Sequence, residues 1–196
     1  MRQNRLNYEP LAIKYMNINI SAHTVSNWVF AYGSLMWRPN FQYSEMIPAI
    51  INGWQRDMCI ISVHYRGTLS KPGLVSGLKS GGSCHGRAYR VSDEDLDSVI
   101  HYLDDRELIT NVYTPEYKEI TLQDNRIVKA RVYISNIYHK HYAGNISDNE
   151  KISLIKQGIG SEGRSIQYLK NIIEQLSKLE IADSGLNKLL KLCEKP

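Results

Sequence analysis

The sequence predicts an α+β fold, in which a mostly antiparallel sheet or small barrel packs helices against one side. Two observations predict it. Apolar and alternating runs that are typical of strands dominate the first half of the chain. Amphipathic patterns that are typical of helices, with capping residues ahead of two of them, occur mainly in the second half. The length of 196 residues favours a single domain.

The predicted strands follow from composition and alternation. They cover residues 28–32, 46–63 (as one or two strands around a bend), 86–91, 117–122 and 127–135. Asp124 and Asn125 separate the last two runs and predict a hairpin. Residues 65–83 are rich in Gly, Pro and Ser, and this composition predicts a loop.

The first predicted helix begins at Ser92, whose hydroxyl can cap free amides, and ends near residues 104–107. Its apolar face consists of Leu96, Val99, Ile100 and Leu103. A capping box at residues 147–150 predicts a second helix. Two further helices are expected over residues 164–179 and 186–192.

Composition and charge indicate an ordinary globular protein. The 24 basic and 20 acidic residues leave a net charge of +4, and no basic cluster alternates with aromatic residues, so no nucleic-acid partner is predicted. Cys59, Cys84 and Cys193 are too few and too scattered for a disulfide framework. The chain has neither a bilayer-spanning apolar stretch nor a secretory signal, so we expect a cytoplasmic protein with no membrane contact.

The stretch FAYGSLMWRP at residues 30–39 is the first candidate for a binding site. Gly33 has no side chain, so a ligand can approach the backbone closely there, and successive amides of such a turn can point at one anion. Taken alone, the Tyr-Gly-Ser sequence is more simply a turn that follows a strand. The large apolar residues on both sides of it are what favour a pocket.

Glu107 is the second candidate, because a carboxylate at the C-terminal end of a helix is disfavoured by the helix dipole. A solvated charge is the simpler explanation for a single glutamate. If Glu107 instead serves a site, Arg106 can point outward while Glu107 points inward. His139 and His141 are more simply surface residues than metal ligands, and Cys193 is expected to serve packing. No metal site is predicted.

Six fragments, taken in order, resemble ChaC-type glutathione-specific γ-glutamylcyclotransferases. The fragments are VFAYGSLMWRPNF, INGWQRDM, YRGTLSKPGLVSGLKSGG, GRAYRV, YLDDRE and GSEGRSIQYLKNIIEQL. The resemblance implies a small β-barrel-like sheet with flanking helices. It also implies cleavage of the small-molecule substrate glutathione into 5-oxoproline and cysteinylglycine, without a metal or cofactor.

The resemblance also implies roles for individual residues. The loop that holds the γ-glutamyl group corresponds to Tyr32, Gly33, Ser34 and Leu35. The catalytic acid/base corresponds to Glu107. Two further residues are implied as lining the pocket, namely Tyr65 and Tyr113.

The resemblance covers residues 28–193, so we expect one domain over 28–196 and a variable N-terminal arm over 1–27. The sequence departs from the family pattern at residues such as Ala31 and Leu69, and these departures leave the substrate preference open. Three alternatives remain: a glutathione-degrading enzyme, the same chemistry on another γ-glutamyl amino acid or amine, or a non-catalytic relative that binds γ-glutamyl groups. A monomer or weak dimer is expected.

Overall fold

The computed structural model describes residues 26–195, and its central feature is a closed barrel in the order β1-β3-β2-β4-β5. Neighbouring strands are antiparallel except β1 and β5, which pair in parallel at Val29 and Arg131. The small mixed barrel of the α+β prediction is therefore confirmed. The barrel strands are β1 (Trp28–Ala31), β2 (Glu45–Ser62), β3 (Gly73–Arg90), β4 (Tyr113–Leu122) and β5 (Ile127–Ser135).

Within residues 26–195, four α-helices flank the barrel, and a short hairpin precedes the third of them. The predicted capping box at Ser147 and Glu150 is confirmed at the start of the second helix. The helices are α1 (Leu96–Glu107), α2 (Asp148–Gln157), α3 (Ser165–Ser177) and α4 (Ser184–Cys193), and the hairpin consists of β6 (Ile159–Gly160) and β7 (Gly163–Arg164).

Strand β1 is apolar throughout because it is buried on both faces. Trp28 and Phe30 belong to a cluster with side chains from the other four barrel strands, which fills the barrel. Val29 and Ala31 belong to a second cluster, shared with the flanking helices. Since successive residues of a strand point to opposite faces, a strand between two cores is apolar at every position. Cys193 is buried in the second cluster, which agrees with its predicted packing role.

The predicted loop over residues 65–83 is wrong beyond residue 72, because β3 begins at Gly73. The glycines that suggested a loop are needed inside this strand. A Cβ atom on Gly73 would lie 2.1 Å from the Arg66 carbonyl oxygen, and one on Gly77 would lie 2.2 Å from Ser135 Oγ. Glycine inside a strand often marks such a close approach.

The start of the first helix also differs from the prediction. The helix begins at Leu96, with Asp95 at the N-cap position. Ser92 Oγ accepts the Asp95 N–H at 3.2 Å and closes the turn that precedes the helix. The predicted end of the helix at residues 104–107 is confirmed. All but the last two residues of the predicted N-terminal arm lie outside the described residues. Within residues 26–195, every helix is too short or too polar to cross a bilayer.

Candidate active site

A cavity of about 260 Å³ opens where the end of α1 meets the barrel and the hairpin β6–β7. Its lining includes four of the residues that the sequence singled out: Ser34, Tyr65, Glu107 and Tyr113. They come from four separate segments of the chain. The barrel and α1 therefore bring them to one place.

The other three predicted residues line a smaller recess of about 30 Å³ rather than the main cavity. They are Tyr32, Gly33 and Leu35. Ser34, Glu107, Tyr113 and Tyr168 border both spaces, so the recess lies beside the main cavity. Leu35 is buried in the core, and its carbonyl oxygen accepts the Tyr89 hydroxyl at 3.0 Å.

Glu107 is the last residue of α1, and it lines both cavities. Burial raises the pKa of this carboxyl group above its ordinary value, and the Arg106 guanidinium offsets part of the rise by favouring the charged form. The helix dipole also disfavours a negative charge at this end of a helix. Glu107 is thus a carboxyl group that takes up a proton more readily than an exposed glutamate.

The sequence analysis allowed Arg106 to point outward, but in the structure its side chain points inward. Its guanidinium donates to Ser34 Oγ at 2.9 Å and to the Tyr102 hydroxyl at 2.7 Å, and Nε lies 3.3 Å from Glu107 Oε1. It also donates to the Arg38 carbonyl oxygen at 2.8 Å. Arg106 therefore ties the end of α1 to the turn that contains Ser34.

The end of α1 is fixed from the barrel side by a charged network. Asp104 accepts two hydrogen bonds from Arg131 Nη2, at 2.6 and 2.7 Å, and a third from the Tyr133 hydroxyl at 2.6 Å. The Tyr133 carbonyl oxygen in turn accepts the Tyr32 hydroxyl at 2.6 Å. Because Asp104 lies one helical turn before Glu107, this network sets where the Glu107 side chain enters the cavity.

Residues Ser34–Met36 form a short 3₁₀ turn, and two residues separate it from the end of β1. The Tyr32 carbonyl oxygen ahead of the turn accepts Arg56 Nε at 2.8 Å. A Cβ atom on Gly33 would lie 2.8 Å from the Tyr168 hydroxyl, so glycine is needed for the backbone to approach α3. The first N–H groups of a helical turn have no partner within it, so they are available to a ligand.

Tyrosine hydroxyls surround the recess. Tyr113 donates to the Ser76 carbonyl oxygen at 2.7 Å, and Tyr168 shares a 2.6 Å hydrogen bond with Ser76 Oγ. Burial is the main cause that raises the pKa of Tyr32, Tyr113 and Tyr168. These phenols stay protonated near neutral pH and serve as hydrogen-bonding groups rather than as bases.

Charged side chains line the mouth of the cavity. Arg38 forms an ion pair with Glu162 in the turn between β6 and β7. Arg66 is buried beneath this turn, where its guanidinium donates to the Glu162 carbonyl oxygen and lies 5.5 Å from the centre of the Tyr168 ring. Tyr65 lies beside it and donates to the Arg106 carbonyl oxygen at 3.2 Å.

His139 and His141 do not line either cavity. Their rings lie 5.2 Å apart, and His139 Nδ1 accepts the His141 N–H at 3.1 Å. Over residues 26–195, the His, Cys, Asp and Glu side chains form no group of three that could ligate a metal ion.

Comparison with known proteins shows the family to which the chain belongs. The family model described as "ChaC-like protein" matches residues 27–196. The chain belongs to the ChaC-like family. A curated relative of this ChaC-like chain, the glutathione-specific γ-glutamylcyclotransferase of Escherichia coli K12, is 37% identical over 163 residues, which are 83% of this chain and 71% of the relative.

Two further matches extend the comparison of the ChaC-like chain. The human glutathione-specific γ-glutamylcyclotransferase 1 is 30% identical over 153 residues, 75% of this chain and 68% of the relative. A crystal structure of a γ-glutamyl cyclotransferase specific to glutathione from yeast superposes with a TM-score of 0.78 at 25% identity. The superposition covers 85% of this chain and 94% of the yeast chain. The predicted family is thus confirmed by sequence and by fold.

The site of the ChaC-like chain contains residues that the sequence analysis did not single out: Arg38, Arg66, Ser76, Arg106, Glu162 and Tyr168. Tyr168 was within reach of sequence reasoning, because it is a bulky phenol between two apolar helix positions in one of the six fragments. Arg38 and Glu162 carry no such signal, since exposed charges are common on any protein surface.

The ChaC-like chain is expected to lose stability at neutral pH through Glu107. Because the folded-state pKa is raised, the folded protein binds this proton more tightly than the unfolded chain, so stability falls as pH rises through the folded-state pKa. We expect Glu107→Gln to have a higher melting temperature than wild type at pH 7.5, and the difference to shrink as pH falls towards 4.5. Thermal unfolding by circular dichroism at several pH values measures this. Equal melting temperatures at pH 7.5 would contradict the buried state of the carboxylate.

Proposed function

We propose that this protein is a glutathione-specific γ-glutamylcyclotransferase, which closes the γ-glutamyl group of glutathione into 5-oxoproline and releases cysteinylglycine. The observation that carries the proposal is the largely buried Glu107 side chain, 18% exposed, at a cavity that also contains Ser34, Tyr65 and Tyr113. Support also comes from the family membership and from relatives that carry this name.

The reaction needs a group that moves a proton between two nitrogen atoms. The α-amine of the γ-glutamyl group forms a bond to its own γ-carbonyl carbon, and the bond from that carbon to the cysteine nitrogen breaks. Glu107 accepts a proton from the attacking nitrogen and returns one to the departing nitrogen. The ammonium gives its other proton to solvent on activation, and the released dipeptide amine takes one up again.

A raised pKa suits Glu107 to both halves of this cycle. An exposed glutamate would hold its proton too weakly to accept it from an amine. Burial brings the pKa of the carboxyl group closer to neutrality, so the same side chain can act as a base and then as an acid. The neighbouring Arg106 limits the rise, which keeps the carboxylate form available at the start of each turnover.

The turn at residues 33–36 is proposed to hold the reacting carbonyl group. When the amine attacks, negative charge develops on the γ-carbonyl oxygen, and fixed N–H donors stabilise it. The amides of Ser34 and Leu35 begin the 3₁₀ turn and are the candidates for these donors. The attack is intramolecular, so a cavity that keeps the substrate folded back on itself lowers the barrier further.

Tyr32, Gly33, Tyr65 and Tyr113 are proposed to shape the site rather than to move protons. Tyr32 and Tyr113 hold backbone carbonyl groups beneath the turn, and Gly33 leaves the room that lets the turn lie against Tyr168. Tyr65 orients the backbone of Arg106 beside Glu107.

The experiment that tests the proposal is an incubation of the purified protein with reduced glutathione in the presence of EDTA. Mass spectrometry should detect 5-oxoproline and cysteinylglycine in equal amounts. A parallel incubation with γ-glutamylalanine separates the glutathione-specific activity from the alternative of a broader γ-glutamyl specificity. Release of 5-oxoproline from γ-glutamylalanine at the rate seen for glutathione would favour the alternative, and no 5-oxoproline from either compound would overturn the proposal.

A further inference from the structure

Charged side chains at the mouth of the cavity are more exposed than the side chains that form its floor. The floor is formed by buried or half-buried side chains, including Glu107, Tyr113 and Tyr168. The side chains of Arg38 and Glu162 at the mouth are 48% and 37% exposed. Because Glu107, Arg38 and Glu162 line the same cavity, a substrate whose reacting end lies at Glu107 can extend its other end towards Arg38 and Glu162.

The ion pair between Arg38 and Glu162 joins two walls of the cavity. Arg38 follows the 3₁₀ turn, and its N–H donates to the Ser34 carbonyl oxygen at 2.9 Å. Glu162 lies in the β6–β7 turn, whose Ser161 and Glu162 N–H groups donate to the His64 and Tyr65 carbonyl oxygens. The backbone on each side is thus held independently of the ion pair.

The two arginines of the mouth differ in how firmly they are held. Arg66 is 6% exposed and is fixed by the Glu162 carbonyl oxygen and the Tyr168 ring. Arg38 is exposed, and within residues 26–195 its guanidinium hydrogen-bonds the Glu162 carboxylate alone. Exposed ion pairs contribute little stability, so another carboxylate can replace Glu162 at small cost.

We propose that Arg38 is the receptor for the terminal carboxylate of the substrate's leaving dipeptide, and that this carboxylate displaces Glu162 from Arg38. The inference rests on the proposed function and names the part of the site that selects an anionic leaving group. Glu162 holds the guanidinium in place while the cavity is empty. Arg66 keeps the β6–β7 turn in place when the Glu162 carboxylate is released, because it binds the backbone of Glu162 and not its side chain.

The overall charge of the cavity agrees with this assignment. Three arginines and two glutamates line it, namely Arg38, Arg66, Arg106, Glu107 and Glu162. Two carboxylates and one ammonium leave glutathione with a single net negative charge near neutral pH. Arg106 is occupied by Ser34, Tyr102 and the Arg38 carbonyl oxygen, so Arg38 is the arginine whose side chain can change partner.

The test compares glutathione with its glycine carboxamide, which lacks the terminal charge. Binding is measured by calorimetry in the Glu107→Gln background, so that the result does not depend on turnover. We expect Arg38→Gln to raise the Kd for glutathione about tenfold, the size of one charge-assisted hydrogen bond, and to leave the Kd for the carboxamide unchanged. Glu162→Gln should lower the Kd for glutathione, because it removes the competing carboxylate.

A matched pair supplies the control. Arg126 and Glu45 form another exposed ion pair, which does not line the cavity, and neither Arg126→Gln nor Glu45→Gln should change either Kd. If Arg38→Gln and Glu162→Gln weaken the binding of both compounds equally, the pair only braces the cavity wall and the assignment is wrong. Equal affinity of the parent protein for the two compounds, or no binding of either, would overturn it as well. The proposed function is judged separately, by product formation in the wild-type protein.

Discussion

Substitution of Glu107 by glutamine is expected to lower the rate of 5-oxoproline release from glutathione by about a hundredfold to ten-thousandfold, the range of general acid–base catalysis. Glutamine keeps the shape and hydrogen-bonding capacity of the side chain but cannot accept the proton. Neither side chain at the next acidic positions of α1 can replace it, because Asp104 is engaged by Arg131 and Tyr133, and Asp105 is exposed. The rate is measured by mass spectrometry of both products under saturating glutathione.

The fold and the binding of substrate should survive this substitution. Removing the carboxylate relieves its cost of burial, so the variant should unfold at a higher temperature than wild type at pH 7.5, and its Kd for glutathione should stay close to that of wild type. Glu119 on β4 is exposed and lies outside both cavities, so Glu119→Gln is the matched control, with a rate within about twofold of wild type. If Glu107→Gln retained more than about a tenth of the wild-type rate, which is outside the range for a lost general base, the proposed role would be wrong.

Elements with a strong local signal were predictable from the sequence. The capping box at Ser147 and the turn at Asp124-Asn125 each need only neighbouring residues, and both are found. Closure of the barrel, in contrast, cannot be predicted from neighbouring residues. It depends on the parallel pairing of β1 with β5 at Val29 and Arg131, and these strands lie far apart along the chain. The pattern along the chain left an open sheet and a small barrel as alternatives, and the resemblance to the family favoured the barrel.

Strand β3 shows why the pattern misled. Glycine and serine are read as loop residues when only the chain itself is considered. At Gly73 and Gly77 the determining fact is another part of the molecule, since the Arg66 carbonyl oxygen and Ser135 Oγ occupy the space that a side chain would need. Such approaches are tertiary contacts that the local pattern does not contain.

The residues of the candidate site also fall into two groups, those that the local sequence indicates and those whose position depends on tertiary contacts. Glu107 attracted notice because a carboxylate at a helix C-terminus is locally unfavourable, and it lies at the cavity. Arg106 has the same sequence neighbours, yet its inward position depends on contacts with Ser34 and the Arg38 carbonyl oxygen. Tyr168 reaches the recess only because α3 packs against β3 beside Ser76.

Substitution of Gly160 by alanine is expected to lower the free energy of unfolding by about 1–3 kcal/mol, as overpacking typically does. A Cβ atom at this position would lie 2.3 Å from the His64 carbonyl oxygen and 2.6 Å from the Arg66 backbone nitrogen. These are backbone atoms, so they cannot move aside as a flexible side chain would. The hairpin β6–β7 must shift away from residues 64–66, which carry Tyr65 and Arg66 into the cavity.

The shift should also weaken substrate binding. It separates the Ser161 and Glu162 N–H groups from the His64 and Tyr65 carbonyl oxygens, to which they donate at 3.0 and 2.9 Å. One wall of the cavity then moves away from Glu107, so the KM for glutathione should rise more than kcat falls. Urea-induced unfolding measures the stability change, and steady-state kinetics measures the effect on KM.

Gly185→Ala is the matched control, because it makes the same chemical change near the start of α4. The nearest atom to its added Cβ would be Asp183 Oδ1 at 3.4 Å, an ordinary contact, and alanine favours a helix by up to about 1 kcal/mol over glycine. Both substitutions restrict the unfolded chain to a similar degree. The difference in unfolding free energy between the two variants therefore combines the overpacking at Gly160 with the helix preference gained at Gly185, and two equally stable variants would show that the hairpin does not press on residues 64–66.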